Sequence, residues 1–181
     1  MARDRSNLVW IDLETTGLSV ARRAILEIAT IITDKDLNLV AEGPTLVIHH
    51  PDRVLDRIDA WAEKQHAYSG LIEISRNSDI SLQEAEQQTL TFLRKHTTRK
   101  SSPLCGNSVT LDRRFLMHHM PDLNAHLSHR NVDVSSISEL AHRWYPGLMS
   151  KLGKDVNHRA MDDIRGSIEE LRMYRRHIFV G

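Results

Sequence analysis

Apolar positions over the first fifty residues come in short runs rich in β-branched side chains, and these runs read as strands. Residues 8–13 form one, and Leu26-Glu27-Ile28-Ala29-Thr30-Ile31-Ile32-Thr33 forms a second. Asp34-Lys35-Asp36 has turn chemistry and leads into a strand over 37–41, which Gly43-Pro44 divides from another over 45–49. Connections this short predict antiparallel neighbours.

Beyond residue 80 the spacing of apolar positions becomes helical. Ser81-Leu82-Gln83-Glu84 is a capping box, which predicts a helix running to about His96. Pro103-Leu104-Cys105-Gly106 reads as a buried strand, followed by a helix from near Ser108 with Leu111 and Phe115 on one face. A short strand over 131–134 comes next. Ser136-Ile137-Ser138-Glu139 has the form of a second capping box, with Ile137, Leu140, Ala141 and Trp144 at helical spacing. The last helix starts near Arg159 and carries Met161, Ile164, Ile168 and Leu171 on one face. Antiparallel strands followed by strand–helix alternation predict an α/β fold, a mixed sheet with helices on its faces.

At 181 residues the chain has the length of one domain with a full core, and no repeat, low-complexity stretch or linker divides it. A single domain over 1–181 is expected. The longest apolar run, around Ile28-Ala29-Thr30-Ile31-Ile32, is too short to span a bilayer. Met1-Ala2-Arg3-Asp4-Arg5 lacks the apolar segment of a secretory signal, and the lone Cys105 has no internal partner, so a reducing cytoplasm is the expected location. Lys plus Arg and Asp plus Glu balance at 24 each. Long nucleic acid is usually gripped with a basic excess, because each neutralised phosphate releases counterions. Neutrality leans toward a short or locally held substrate. The adjacent histidines His49-His50 and His118-His119 read as surface or packing residues.

The first strand ends in two acids. Period-two alternation puts Asp12 and Glu14 on one face behind Leu8 and Trp10, so the row runs from apolar into acidic. Neighbouring carboxylates repel unless protons or cations lie between them, and hard divalent cations prefer oxygen ligands. Taken alone, a solvated strand end also explains the pair. Asp112, in the helix after the Cys105 strand, reads alone as a surface acid pairing with a neighbouring arginine. In His158-Arg159-Ala160-Met161-Asp162-Asp163-Ile164, five residues of ideal helix would turn by about 500°, so both ends cannot share a helical face. His158 is therefore expected in the loop and Asp163 in the first turns of the helix, where acids also suit the macrodipole.

Together, Asp12, Glu14, Asp112, His158 and Asp163 resemble the pattern of the DEDDh exonuclease family. D-x-E lies on the first strand, an Asp follows mid-chain, and H-x-A-x-x-D lies at the last helix. The likeness extends to Trp10-Ile11-Asp12-Leu13-Glu14-Thr15-Thr16-Gly17-Leu18, to Cys105-Gly106-Asn107-Ser108 and to Ala160-Met161-Asp162-Asp163-Ile164-Arg165, and it covers nearly the whole chain. It implies a ribonuclease H-like fold whose mixed five-stranded sheet has three antiparallel strands and then βαβ-type units. The chemistry agrees. Four carboxylates can hold two divalent cations roughly 3.5–4 Å apart, one activating water and one stabilising the leaving oxygen. An all-oxygen ligand set favours Mg²⁺ or Mn²⁺ over zinc. His158, an imidazole with an ordinary pKa of about 6.5, suits a general base.

Within the family the chain resembles the branch that finishes the degradation of very short RNA. This implies a homodimer that hydrolyses short single-stranded RNA oligonucleotides 3′→5′, dinucleotides included, to nucleoside 5′-monophosphates. It also implies Leu18 as a wedge between bases and Trp61 as a stacking platform with His66 nearby. Ser108, Arg130 and Ser135 would close on the 5′-phosphate as a length ruler. From the residues alone, core packing also explains Leu18 and is the favoured reading of Trp61, and Ser108 and Ser135 are equally explained as helix caps. Position 129, where the family offers a tyrosine from the partner subunit, is His129, which reaches less far and titrates near neutrality. A normal catalytic core with weaker or more pH-dependent discrimination by length is expected. The alternatives are a DEDDh exonuclease acting on DNA or on structured RNA 3′ ends, and a noncatalytic nucleic-acid-binding module. The intact five-residue set disfavours the latter, since unmetallated carboxylates weaken phosphate binding.

Overall fold

A central antiparallel hairpin and its third strand open the chain: β1 (Leu8–Thr15), β2 (Ile25–Thr33) and β3 (Leu39–Val47). The computed structural model describes residues 4–66, 68–149 and 159–179. β1 pairs with β2 from Leu8↔Thr33 to Glu14↔Glu27, and β2 pairs antiparallel with β3. The β2–β3 turn is held by Asp34, whose Oδ1 accepts the N–H groups of Asp36 at 2.8 Å and Asn38 at 2.9 Å. Short helices follow, α1 (Asp52–Leu55), α2 (Ala60–His66) and α3 (Leu71–Asn77), and then the longer α4 (Leu82–His96). β4 (Leu104–Gly106), α5 (Thr110–His119), α6 (Pro121–His126), β5 (Asn131–Asp133), α7 (Val134–Trp144), α8 (Pro146–Met149) and α9 (Ala160–His177) complete the order. The sheet runs β3-β2-β1-β4-β5, with β4 parallel to β1 and β5 parallel to β4, as the resemblance implies.

Two details differ from the sequence reading. β3 is one strand through Gly43-Pro44 rather than two, with Leu37 left in the turn. It is an edge strand, where a proline without an N–H removes no necessary ladder bond. α7 also begins before the expected capping box. The Asp133 carboxylate, at the end of β5, accepts the N–H of Ser135 at 3.0 Å and caps the helix, so Ser136 lies inside its first turn. The other capping box is present: Ser81 Oγ accepts the N–H of Glu84 at 3.2 Å, and Glu84 Oε2 accepts that of Ser81 at 2.8 Å.

Alternation along β1 feeds two cores. Val9, Ile11 and Leu13 pack with Leu90 and Leu93 of α4, Phe115 of α5 and Leu123 of α6. Trp10 faces the other way, against Ile164 and Ile168 of α9, and its buried indole N–H donates to Thr33 Oγ1 at 3.0 Å. Asp12 and Glu14 continue the Trp10 row and meet the start of α9. β4 pairs with β1 only at Val9 and Trp10, so the acidic end of β1 runs on past β4. Among the described residues, no helix is long and apolar enough to cross a membrane.

Candidate active site

Asp12 and Glu14 of β1 and Asp163 in the first turn of α9 each bring a ligand atom to within 4.8 Å of the others. Asp112, in the first turn of α5, is aimed by the backbone: its Oδ1 accepts the Leu13 N–H at 3.1 Å. β1 has outrun β4 at Leu13, so this N–H takes a side-chain acceptor instead of a strand one. The turn that starts α5 is set at Ser108, which has a φ of 52° and donates its N–H to Asp133 Oδ1 at 3.0 Å and Ser135 Oγ at 2.9 Å.

Burial and mutual repulsion make these acids reluctant to ionise. Burial raises Asp12 well above the usual carboxylate range, and Asp112, Glu14 and Asp163 raise it further. Burial is also the main cause for Glu14, which is pushed up to about 8, with Asp163, Glu27 and Asp112 adding and Arg159 opposing. Asp112 is raised to about 7 by burial, against the bond from Leu13. Such a group of carboxylates calls for protons or cations, and an all-oxygen donor set at this spacing fits hard divalent cations. His158 lies outside the described residues. Arg159, which follows it, is described and opens α9.

Leu18 and Trp61 are each about half exposed, at 50% and 52%, so Trp61 is not a core residue. Leu18 follows the end of β1, and Trp61 lies on α2, which is pinned to that end: Asp59 N–H donates to the Thr16 carbonyl at 3.0 Å, and His66 Nε2 lies 3.0 Å from that of Thr15. The fit needs glycine at 17, where φ is 144° and a Cβ would collide with the Asp59 carboxylate. His66 is buried, with Nδ1 3.8 Å from Glu14 Oε2, so it stands behind the acid rather than on the open wall.

Ser108 and Ser135 are brought together, Oγ to Oγ 3.1 Å, and Ser135 donates to Asn107 Oδ1 at 3.1 Å. Neither caps a helix: Val109 and Asp133 hold those positions. His129 and Arg130 are exposed in the turn before β5, and neither side chain hydrogen-bonds to the serine pair. Glu27 escaped the sequence reading. Its signal was visible: a single acid within an otherwise uncharged, wholly buried strand.

The exonuclease family model named RNase_T matches residues 9–171. The chain is 53% identical over 175 residues to the oligoribonuclease of Acinetobacter baylyi, covering 97% of this chain and 96% of that one. It is 52% identical to the oligoribonuclease of Pseudomonas aeruginosa strain PAO1, covering 94% and 95%, and 48% identical to that of Haemophilus influenzae strain Rd, covering 98% and 97%. Among solved structures, the zinc-bound complex of Escherichia coli exonuclease I with single-stranded DNA has the same fold, with a TM-score of 0.76 at 14% identity. That match covers 97% of this chain but only 41% of exonuclease I. Exonuclease I of Methylocaldum szegediense gives 0.72 at 17% identity, with 95% and 41% covered. By its motifs, its matched span and its near-full-length identity, the chain belongs to the oligoribonuclease family of DEDDh 3′→5′ exonucleases.

Proposed function

We propose that this chain is a metal-dependent 3′→5′ exoribonuclease that degrades very short single-stranded RNA, dinucleotides included, to nucleoside 5′-monophosphates. The observation that carries the reading is the convergence of Asp12, Glu14 and Asp163 within 4.8 Å, with Asp112 held beside them by Leu13. These four would hold two divalent cations, Mg²⁺ or Mn²⁺, which supply charge neutralisation at the phosphodiester and a more acidic water. His158, in the stretch leading to Arg159, takes the proton of the attacking water as general base. The exposed Leu18 and Trp61 stack against unpaired bases. Ser108 and Ser135, joined at 3.1 Å, and the exposed Arg130 close on the 5′-phosphate. His66 steadies Glu14 from behind, and the partner subunit's His129 adds to the phosphate end of a homodimer. Exposed Leu140 and Trp144, one turn apart on α7, offer apolar surface for such a dimer. A single exonuclease domain over 1–181 and a cytoplasmic location, which the lone buried Cys105 suits, belong to the same reading.

The test is the product ladder from 5′-labelled RNAs two to seven nucleotides long, and from DNAs of the same lengths, with Mg²⁺, Mn²⁺ or chelator. Stepwise shortening of RNA to mononucleotides, abolished by chelator, is expected. Turnover that survives chelator, or binding without turnover, overturns the reading, and a preference for DNA overturns its substrate.

A further inference from the structure

Glu27 is the one charged residue of β2, and its side chain is fully buried directly across the ladder from Glu14. A carboxylate withdrawn from water persists only with donors of its own. Arg159 supplies Nε, 3.2 Å from both oxygens, and Nη2, 2.6 Å from Oε1. The N–H of Ala160 adds a bond of 3.1 Å to Oε2. Arg159 is the N-cap of α9, in extended conformation and without a side-chain cap of its own, so an acid from another element satisfies the first helical amide. The carbonyl of the same Arg159 accepts the N–H groups of Asp162 at 2.9 Å and Asp163 at 3.0 Å. The contacts thus run from β2 through Arg159 to Asp163.

We propose that Glu27 is a positioning residue for the metal cluster: it fixes the first turn of α9 against β2 and so sets where Asp163 stands relative to Asp12 and Glu14. It holds no cation itself. The proposal rests on reading those acids as metal ligands. The comparison is built into the same helix, where Arg165 pairs with Glu42 at 2.9 Å on an exposed surface further along.

The experiment measures Mn²⁺ binding to the full-length protein by calorimetry, for wild type, Glu27→Gln, Arg159→Lys and Arg165→Met, with circular dichroism as the check of fold. Gln keeps the shape and one acceptor but drops the charge, and Lys keeps a charge but loses the fork of donors. Glu27→Gln is expected to weaken Mn²⁺ binding about tenfold, the size typical of losing an outer partner of a metal ligand. Arg159→Lys should weaken it by a smaller factor, and Arg165→Met should leave it unchanged. Raising Mn²⁺ should recover most of the turnover of Glu27→Gln on a dinucleotide. Wild-type Mn²⁺ affinity in folded Glu27→Gln overturns the proposal. So does equal weakening by Arg165→Met, because any loosening of α9 would then suffice. If Glu27→Gln does not fold, Arg159→Lys against Arg165→Met decides. A wild type that binds no Mn²⁺ overturns the metal reading instead, so the two failures are distinct.

Discussion

Asp112 accepts the Leu13 N–H at 3.1 Å, which ties the start of α5 to the strand between the two acids of β1. One carboxylate therefore has a backbone duty and, on the proposed reading, a metal-binding one, and substitution separates them. Asp112→Asn retains an acceptor for Leu13 and should fold with near-native stability while losing activity. Asp112→Ala should lose activity and also about 1–2 kcal/mol of stability, the cost of an unmet buried N–H. Urea melts beside turnover on a dinucleotide test this, and equal stabilities of the two variants would remove the structural half of the claim.

Glu14 is held up to about 8 and Asp112 to about 7, against about 4 for ordinary carboxylates. Between those values the folded chain binds more protons than the unfolded one. Stability is thus fully present below the unfolded value and falls as pH rises through the folded values. Metal-free protein should melt progressively lower between about pH 4 and about pH 8, and Mn²⁺ should restore stability most at the alkaline end. Melting curves in chelator and in Mn²⁺ test this. A midpoint indifferent to both pH and metal would contradict it.

Gly17→Ala introduces a side chain where φ is 144° and the Asp59 carboxylate already occupies the space. A cost of about 1–3 kcal/mol is expected from such backbone strain. Because α2 must then shift from the strand end, KM for a dinucleotide should rise more than kcat falls. A variant with native stability and KM would show that α2 tolerates the displacement.

Asp162 and Asp163 are adjacent but differently placed. Asp162 is exposed and 3.6 Å from Arg165, whereas Asp163 faces Asp12 and Glu14. Asp163→Ala should reduce turnover by more than about a hundredfold, beyond the usual effect of losing an outer partner. Asp162→Ala should leave turnover nearly intact. The reverse pattern would reassign the ligand.

His129 is exposed in the turn before β5 and reaches less far than a tyrosine would. On the proposed reading, His129→Tyr should sharpen the preference for a dinucleotide over a heptanucleotide. An unchanged ratio of the two rates would exclude a role for this side chain in measuring length.

The site was more legible in the sequence than the scaffold around it. D-x-E at the end of an alternating strand puts both acids on one face whatever follows, and Asp163 falls in the first turn of α9 as its spacing predicts. Helices α1, α2 and α3 left no readable period, since none exceeds seven residues. Pro44 looked like a strand break because its tolerance depends on β3 being an edge, which only the assembled sheet decides. Glu27 was missed for a related reason. Its partners, Arg159 and the Ala160 N–H, lie more than a hundred residues away and meet it only after α9 packs.

The docking of α2 onto Thr15 and Thr16 has a consequence for the size of each cut. Trp61 lies in the helix so docked, and Leu18 follows the strand that carries Asp12 and Glu14. On the proposed reading, in which the terminal base stacks on these two side chains, the phosphodiester brought to the acids is the one next to it, whatever the sequence of the RNA. A step of one nucleotide per turnover would then follow from where the helix is docked.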